Sequence, residues 1–263
     1  MTGHADVFDI PRSPSQAEQY LKCPEQYRLR RVVRVEPRPA AWSHQGSAFH
    51  SAIEAFELGG RKSSAREVQE VFGREYSRLT KSALNKEPNL DRWMTAGPPG
   101  GADIENRYRL GLKQTESYVQ WSRGQGPRIW QGADGAPGVE LDLAHEICGV
   151  KVRGIIDQLI VEADGSARIR DLKTGSSRSK FQLETYAVLV RKALGVETNG
   201  GDWYMAKTGR LSRRVDLSHA TEEAVGSAYA ELDRGIKAGE FPARPGFHCR
   251  FCDVSHACNY ARR

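Results

Sequence analysis

Two aspartates and a lysine lie on neighbouring segments in the middle of the chain. Asp157 lies within an apolar, β-branched run, and Asp171 and Lys173 lie two positions apart on the next segment, 167–173. Because side chains alternate along a strand, Asp171 and Lys173 share one face, and Asp164-Gly165 predicts a turn that pairs the two segments. Carboxylates in an apolar setting require a compensating cation. The three charges therefore predict a site for a hard divalent ion, with Lys173 placed to position or activate a water.

The segment after these strands adds two polar side chains on a predicted helix, residues 180–194. Gln182 and Tyr186 are four positions apart on it and so share a face. Asp-x-Lys alone also occurs in salt bridges on exposed strands. The full succession resembles the RecB-like branch of the PD-(D/E)xK nuclease superfamily: Gly154-x-x-Asp157, Asp171-x-Lys173-Thr174-Gly175 and Gln182-x-x-x-Tyr186. The resemblance implies that Gln182 and Tyr186 contact the nucleic acid near the scissile phosphate.

This resemblance also implies hydrolysis of DNA phosphodiester bonds with Mg²⁺ or Mn²⁺. One or two ions would be held by four groups: the side chains of His50, Asp157 and Asp171 and the main-chain carbonyl of Leu172. Asp157, Asp171 and Lys173 would be the catalytic residues, and Lys173 would orient the attacking water or steady charge in the transition state. The chain carries Asp171 rather than Glu before x-Lys, which the superfamily tolerates.

His50 lies on a predicted helix, residues 46–58, four positions after Gly46. A lone histidine beside an apolar stripe is more often a packed core or surface residue than a ligand. RecB-like nucleases carry Gly-x-x-x-His at this place, so the resemblance implies that His50 binds the catalytic metal. Glu54, one turn further on, fits a supporting role better. Glu140 could reach the site from a preceding strand, but we expect it at an exposed position of the sheet.

The cysteines form a second pattern. The chain has 5 cysteines, and its N-terminal residues lack the basic-then-apolar pattern of a secretory signal, which argues against a disulfide framework. Cys249, Cys252 and Cys258 have the spacing C-x2-C-x5-C and lack a fourth ligand, for which Cys23 is the candidate. Cys148 is expected to be a plain thiol.

Cys23-Pro24-x-x-Tyr27 together with the C-terminal cysteines resembles the iron–sulfur RecB-like nucleases, such as the AddB nuclease domain and the CRISPR-adaptation exonuclease. The resemblance implies a [4Fe–4S] cluster that is held by Cys23, Cys249, Cys252 and Cys258 and joins the two ends of the chain. Such a link would offset part of the chain entropy lost on folding. Thiolates also suit zinc, and His248 and His256 lie beside the cysteines, so a zinc site of mixed ligands stays open.

Charge and hydropathy limit the classes of partner. The 263 residues carry a net charge of +6 with a pI near 9.1, which favours a polyanionic partner without naming it. Basic residues cluster at 28–34, at 207–214 and at Arg262-Arg263. No apolar run approaches the ~20 residues that span a bilayer, so we expect a cytoplasmic protein without membrane contact. A Walker-type phosphate loop is absent from the sequence, which excludes the familiar kind of ATP motor.

The predicted helices and strands that position these residues indicate a single α/β domain over residues 1–263. The resemblance implies a restriction-endonuclease-like core, which is a central mixed sheet flanked by helices, with an N-terminal helical part and a C-terminal cysteine-rich iron–sulfur tail. The nuclease core would span 46–217 with a helical insertion at about 61–125. The metal cluster would join segments 13–34 and 241–263. Ser15 and Glu18 predict a capping box for the first helix.

These features together predict a stand-alone, metal-dependent DNA exonuclease that acts on single-stranded DNA or frayed duplex ends. One alternative is an end-processing subunit that requires a helicase or CRISPR integrase proteins. Another is a non-catalytic module that binds DNA ends, against which the intact set of His50, Asp157, Asp171 and Lys173 argues. The sequence leaves open the polarity of digestion, exo- or endonucleolytic cleavage, DNA or RNA as substrate, and the oligomeric state. It also leaves open the pathway, whether repair, phage replication or CRISPR spacer acquisition.

Overall fold

A six-stranded mixed sheet forms the centre of the computed structural model, which describes residues 10–261. Its strands are β1 Val139–Ile147, β2 Val150–Val161, β3 Ala167–Lys173, β4 Thr198–Met205, β5 Arg210–Leu211 and β6 Val215–Asp216. The order is β1-β2-β3-β4-β5, and β6 also pairs with β4. Neighbouring strands are antiparallel except β3 and β4, which run parallel. The basic pair Arg262-Arg263 and residues 1–9 lie outside the described residues.

Seven α-helices of the described residues surround this sheet. They are α1 Pro14–Lys22, α2 Pro24–Tyr27, α3 Ala41–Leu58, α4 Ala65–Lys86, α5 Gly100–Gln125, α6 Lys180–Leu194 and α7 Glu222–Lys237. A π-helical turn, Arg28–Val32, continues α2, and 3₁₀ turns lie at Leu90–Arg92, Phe247–Phe251 and Ser255–Ala257. None of the helices in the described part of the chain combines the length and apolarity needed to cross a bilayer.

Apolar clusters cover both faces of the sheet. On one face, Ile169 and Trp203 of the strands pack with residues of α1, α6 and α7. On the other face, Leu172 and Tyr204 pack with the three helices α3, α4 and α5. Because Trp203 and Tyr204 are successive residues of one strand, their side chains point to opposite faces. The predicted α/β class, with a mixed sheet flanked by helices, is confirmed.

Helix α6 makes the crossover between the parallel strands β3 and β4. Its first turn is capped by Ser179, whose hydroxyl accepts a hydrogen bond from the Gln182 amide at 2.9 Å, and it ends at Gly195 in the left-handed conformation with φ 66°. The crossover must pass close to β2. A Cβ on Gly154 would lie 2.6 Å from Cε1 of Tyr186, so only glycine permits this approach. The helix therefore returns Gln182 and Tyr186 to the end of β3.

Two helix starts carry a Ser-x-x-Glu capping-box pattern in the sequence, and only one of them forms the box. A capping box forms at the start of α4, where the Ser64 amide donates to Glu67 at 2.6 Å and the Ser64 hydroxyl accepts from the Glu67 amide. The capping box predicted for α1 was wrong. Ser13 caps that helix, and Glu18 accepts a hydrogen bond from Ser179 Oγ at 2.5 Å. A tertiary contact with α6 has taken the carboxylate that the pattern assigned to the cap.

The two ends of the described chain meet on one side of the sheet. The backbone of Arg12 bonds to Lys151 and Arg153 of β2, and its buried guanidinium pairs with Asp233 of α7 at 2.8 Å. The rings of Tyr27 and Phe241 stack with centroids 6.5 Å apart. Farther along, Leu29, Cys252 and Val254 share a small apolar cluster, with Cys258 packed against it. The N-terminal helices and the C-terminal residues thus form one packed layer.

Candidate active site

The functional side chains predicted from sequence meet where β2 and β3 approach helix α3. His50 projects from α3, Asp157 from β2, and Asp171 and Lys173 from β3. The His50 Nδ1 atom lies 3.4 Å from Asp157 Oδ1, and Nε2 lies 3.1 Å from the main-chain oxygen of Leu172. His50 therefore contacts two other predicted metal-binding groups, each more than a hundred positions further along the chain.

Asp157 also fixes the geometry of the two strands. Its Oδ2 atom accepts a hydrogen bond from the Leu172 amide at 2.6 Å, so the carboxylate of one strand holds the backbone of the next. Asp157 is 7% exposed and Asp171 only 1%. The ladder between β2 and β3 reaches the pair Gln158–Arg170, and these two aspartates are the next positions on their strands. Two buried carboxylates side by side are unfavourable without a nearby cation.

A chain of polar contacts extends from Asp171 to helix α6. Lys173 Nζ donates to Asp171 Oδ1 at 3.0 Å and to Gln182 Oε1 at 3.3 Å. Gln182 Nε2 in turn donates to the Tyr186 hydroxyl at 2.8 Å. The structure thus connects all four of these predicted residues. Asp171 pairs with Lys173 here, whereas His50, Asp157 and Leu172 form the neighbouring group.

Glu140 belongs to this group, and the expectation that it is an exposed residue of the sheet was wrong. Its Oε1 lies 3.3 Å from His50 Nδ1. Glu140 has φ 47°, and the β1–β2 ladder passes from the pair Val139–Gln158 to the pair Leu141–Ile156 without pairing it. A left-handed residue in a strand turns its side chain out of the regular alternation, and such strain concentrates at functional sites. Pro137-Gly138, just before the strand, is the sequence signal for an irregular start.

The electrostatics of the site reflect crowded carboxylates. Burial, together with the negative charge of Asp157, raises the pKa of Asp171 to about 7, although Lys173 and His50 act to lower it. Burial acts to lower the pKa of His50, but the carboxylates of Asp157 and Glu140 outweigh it and hold the pKa well above its ordinary value. Burial also raises the pKa of Tyr186, so its hydroxyl stays neutral and can act as a donor. The surroundings of His50 thus favour positive charge.

The donor atoms of this group fit a divalent cation. His50, Glu140 and Asp157 each offer one ligand atom, and these atoms lie within 4.8 Å of one another. Carboxylate oxygens with one imidazole and a main-chain carbonyl suit Mg²⁺ and Mn²⁺. A bound cation would supply the positive charge that the carboxylates around His50 favour. Burial, and next the negative charge of nearby Glu140, raise the pKa of Glu54. Glu54 thus borders the metal-binding group, in keeping with a supporting role.

The structure also brings the four predicted cysteine ligands together. Cys23, Cys249, Cys252 and Cys258 all line one small cavity, and Leu29 and His248 are among its other lining residues. The amides of Arg244 and Gly246 approach the sulfur atoms of Cys23 and Cys249 at 3.5 and 3.4 Å. Burial raises the pKa of the Cys252 thiol to about 11. Cys148 is exposed and lies at the turn between β1 and β2, away from this cavity.

Similarity to known proteins extends over almost the whole chain. It is 39% identical over 258 residues to the Gene 69 protein of Mycobacterium phage D29, covering 94% of this chain and 96% of that protein. It is 36% identical over 277 residues to the Gene 69 protein of Mycobacterium phage L5, covering 94% and 95% of the two chains. A crystal structure of a candidate exonuclease from Eubacterium rectale aligns over 100% of this chain and 92% of that one, with 15% identity and a TM-score of 0.49.

The match that assigns the family covers the site and most of the chain. The sequence model of the PD-(D/E)XK nuclease superfamily matches residues 11–259, which include all the predicted site residues and all five cysteines. The two strands, the crossover helix and the buried acidic group lie within that span. The chain belongs to the PD-(D/E)XK nuclease superfamily.

Proposed function

We propose that this nuclease is a RecB-like, Mg²⁺- or Mn²⁺-dependent exonuclease that shortens single-stranded DNA or frayed duplex ends. The observation that carries the proposal is the contact of His50 with both Glu140 and Asp157, beside the Asp171–Lys173 pair. A structural ion pair would need only two of these groups. Three acidic residues, one histidine and one lysine in a single cluster instead fit cleavage of a phosphodiester, in which negative charge develops.

Each residue has a defined part in this proposal. His50, Glu140 and Asp157, with the carbonyl of Leu172, would hold the cation, which supplies Lewis acidity and lowers the pKa of a bound water. Asp157 keeps β2 and β3 in register through its bond to the Leu172 amide. Lys173, held between Asp171 and Gln182, is placed to orient the attacking water or to stabilise the charged phosphate.

Asp171, Gln182 and Tyr186 complete the site. Asp171 is bonded to Lys173, and its buried carboxylate is also suited to hold a second cation. Gln182 joins Lys173 to Tyr186 through hydrogen bonds. A phosphate that contacts Tyr186 would therefore influence the position of Lys173. Both α6 side chains would contact the nucleic acid beside the scissile bond.

We further propose that the four cysteines that line the cavity hold a [4Fe–4S] cluster. Four cysteine thiolates are the usual ligand set of a [4Fe–4S] cluster. These four line one cavity, although Cys23 is more than two hundred positions from the other three. His248 also lines the cavity, and a zinc site of mixed ligands is the alternative.

The experiment that tests both parts uses protein purified without oxygen. We expect a brown protein with broad absorbance near ~400 nm. We also expect shortening of an end-labelled single strand that EDTA abolishes and that Mg²⁺ or Mn²⁺ restores. The Asp171→Ala variant is the control and should keep the colour while losing cleavage. Cleavage by Asp171→Ala at the wild-type rate would contradict the site.

Other outcomes of the same experiment separate the alternatives. A brown protein that binds DNA without cutting it would indicate a subunit that needs a helicase or integrase partner, or a DNA-end-binding module. A colourless, active protein with bound zinc would replace the cluster and leave the nuclease site in place. Of the settings left open by the sequence, phage replication is the one that we favour, because the two relatives are encoded by mycobacterial phages.

A further inference from the structure

A large groove lies beside the active site. It has a volume of about 1340 Å³, which exceeds the ~300–1,000 Å³ of ordinary small-molecule pockets. Four cationic side chains and two aromatic rings line it, and we call it the basic groove: Arg30, Arg38, Arg107, Lys207, Trp42 and Phe251. The size favours an extended polymer over a compact ligand.

The basic groove leads directly to the catalytic residues. Its floor includes residues 174–177, the loop that follows Lys173. Gln114 Nε2 donates to the carbonyl of Thr174 at 3.0 Å and fixes this loop against helix α5. A Cβ on Gly46 would lie 3.6 Å from the Thr174 hydroxyl, and His50 is one helical turn further along α3. The loop that lines the groove therefore lies about one helical turn from the metal-binding group.

Charge along the groove is positive. Arg30 pairs with Asp253 at 3.1 Å, and Arg107 pairs with Asp103 at 3.1 Å, so each carboxylate of the groove already has a partner. Arg38 donates to the carbonyl of Cys252 at 2.9 Å. Because a carbonyl is neutral, this bond does not cancel the positive charge of Arg38.

Lys207 follows the end of β4 and is exposed. These cations suit the evenly spaced phosphates of a nucleic-acid backbone.

The two rings decide which form of nucleic acid fits. Phe251 is 52% exposed on the C-terminal side of the groove, and Trp42 is half-buried at the start of α3. A ring can stack only on a base whose face is free, and in a duplex those faces are covered. We propose that the basic groove binds single-stranded DNA, with phosphates near the cations and bases against Phe251 and Trp42. This proposal rests on the proposed function and defines the path of its substrate.

The first test measures binding without cleavage. Full-length Asp171→Ala protein, purified without oxygen, is titrated against a fluorescent oligo-dT and against a blunt hairpin duplex, and anisotropy is recorded. Phe251→Ala in this background should bind oligo-dT about fivefold more weakly or worse, as expected for one lost base–aromatic stack. The matched control is Tyr260→Ala, which removes a ring of the same C-terminal segment that is 59% exposed and does not line the groove. It should bind like the parent.

A second test isolates the charge contribution. Lys207→Ala should lower the slope of log K against log salt by about 0.7, the value for one phosphate contact to a single strand. Lys81→Ala removes an exposed lysine of α4, outside the groove, and should leave that slope unchanged. Thermal unfolding of each variant confirms that the fold persists.

Three results would overturn the groove assignment. They are equal effects of Phe251→Ala and Tyr260→Ala, an unchanged salt slope in Lys207→Ala, and equal affinity for duplex and single strand. None of these concerns cleavage, so each would leave the proposed nuclease activity standing. Conversely, wild-type protein that binds oligo-dT through the groove but cuts no DNA would contradict the proposed function alone.

Discussion

At the scale of single residues, both carboxylate oxygens of Asp157 have a contact. One oxygen accepts from the Leu172 amide, and the other faces His50. The same carboxylate therefore joins two strands and contributes to the metal-binding group. Since His50 also contacts the Leu172 carbonyl, the three residues form a closed arrangement in which each position depends on the others.

Replacing Lys173 tests the catalytic role most directly. Lys173→Ala should lower the cleavage rate by about 10²-fold or more, because it removes the one cation bonded to Asp171 and Gln182 and aimed at the site. Binding of the single strand should stay near normal. The measurement is the single-turnover rate on an end-labelled strand, with exposed Lys151→Ala of β2 as control. Near-wild-type cleavage would remove Lys173 from the mechanism.

Replacing Glu140 tests whether the strained strand residue binds metal. Glu140→Gln should raise the Mg²⁺ or Mn²⁺ concentration for half-maximal rate by about tenfold or more, since it removes one negative charge from the group. Glu146→Gln, an exposed position of the same strand, is the control and should change nothing. Identical metal dependence in the two variants would make Glu140 an ordinary strand residue.

The site residues differ in how far sequence could locate them. Asp157, Asp171 and Lys173 lie on paired strands with a short turn, so strand alternation alone placed them together. His50 required the motif, because 107 positions separate it from Asp157. Glu140 was missed because its direction depends on a left-handed φ of 47°, which regular alternation does not anticipate.

At the scale of elements, Gly154 controls how closely α6 approaches β2. Gly154→Ala would place a methyl group 2.6 Å from the Tyr186 ring and 3.0 Å from Leu189 Cδ1. Overpacking of this kind should destabilise the protein by about 1–3 kcal/mol, and displacing Tyr186 should slow cleavage. Thermal unfolding and rate measurements check both effects. Gly124→Ala in α5, where a Cβ meets nothing within 4 Å, is the control and should be neutral or stabilising.

Most elements were predictable because their own sequence specifies them. The helix predicted at 180–194 and the strand at 167–173 form with those bounds. Residues 24–32 do not form one regular α-helix, since a short α-helical turn passes into a π-helical turn there. That segment packs against the C-terminal residues, and Leu29 joins their apolar cluster. Contacts between residues so far apart in sequence cannot be predicted from local periodicity, and neither can the basic groove.

At the scale of the whole molecule, the cysteine cavity joins the two ends of the chain. Cys252→Ser should remove the absorbance near ~400 nm, because one of the four proposed ligands to iron is lost. It should also lower the thermal midpoint by about 5 °C or more, as expected when a cross-link worth about 2–4 kcal/mol is removed from a domain of this size. Iron analysis and thermal unfolding under anaerobic conditions are the measurements.

The control for this change is Cys148→Ser, which alters an exposed thiol outside the cavity and should keep both iron and stability. A stable, colourless Cys252→Ser variant of a colourless parent would indicate zinc. At this scale the sequence predicted which cysteines meet, since Cys23, Cys249, Cys252 and Cys258 line one cavity. It could not specify the occupant, because thiolates accept both iron–sulfur clusters and zinc.

The ion pair between Arg12 and Asp233 has a consequence for the timing of synthesis. The two residues are 221 positions apart, so a ribosome adding about 5–20 residues per second makes Asp233 about 10–45 s after Arg12. During that interval Tyr20 and Tyr27 lack α7 and Phe241, against which they pack. Once Lys173 has been made, the catalytic residues are complete, but the layer that closes the fold is not. An unfinished chain is therefore expected to lack nuclease activity until its last segments emerge.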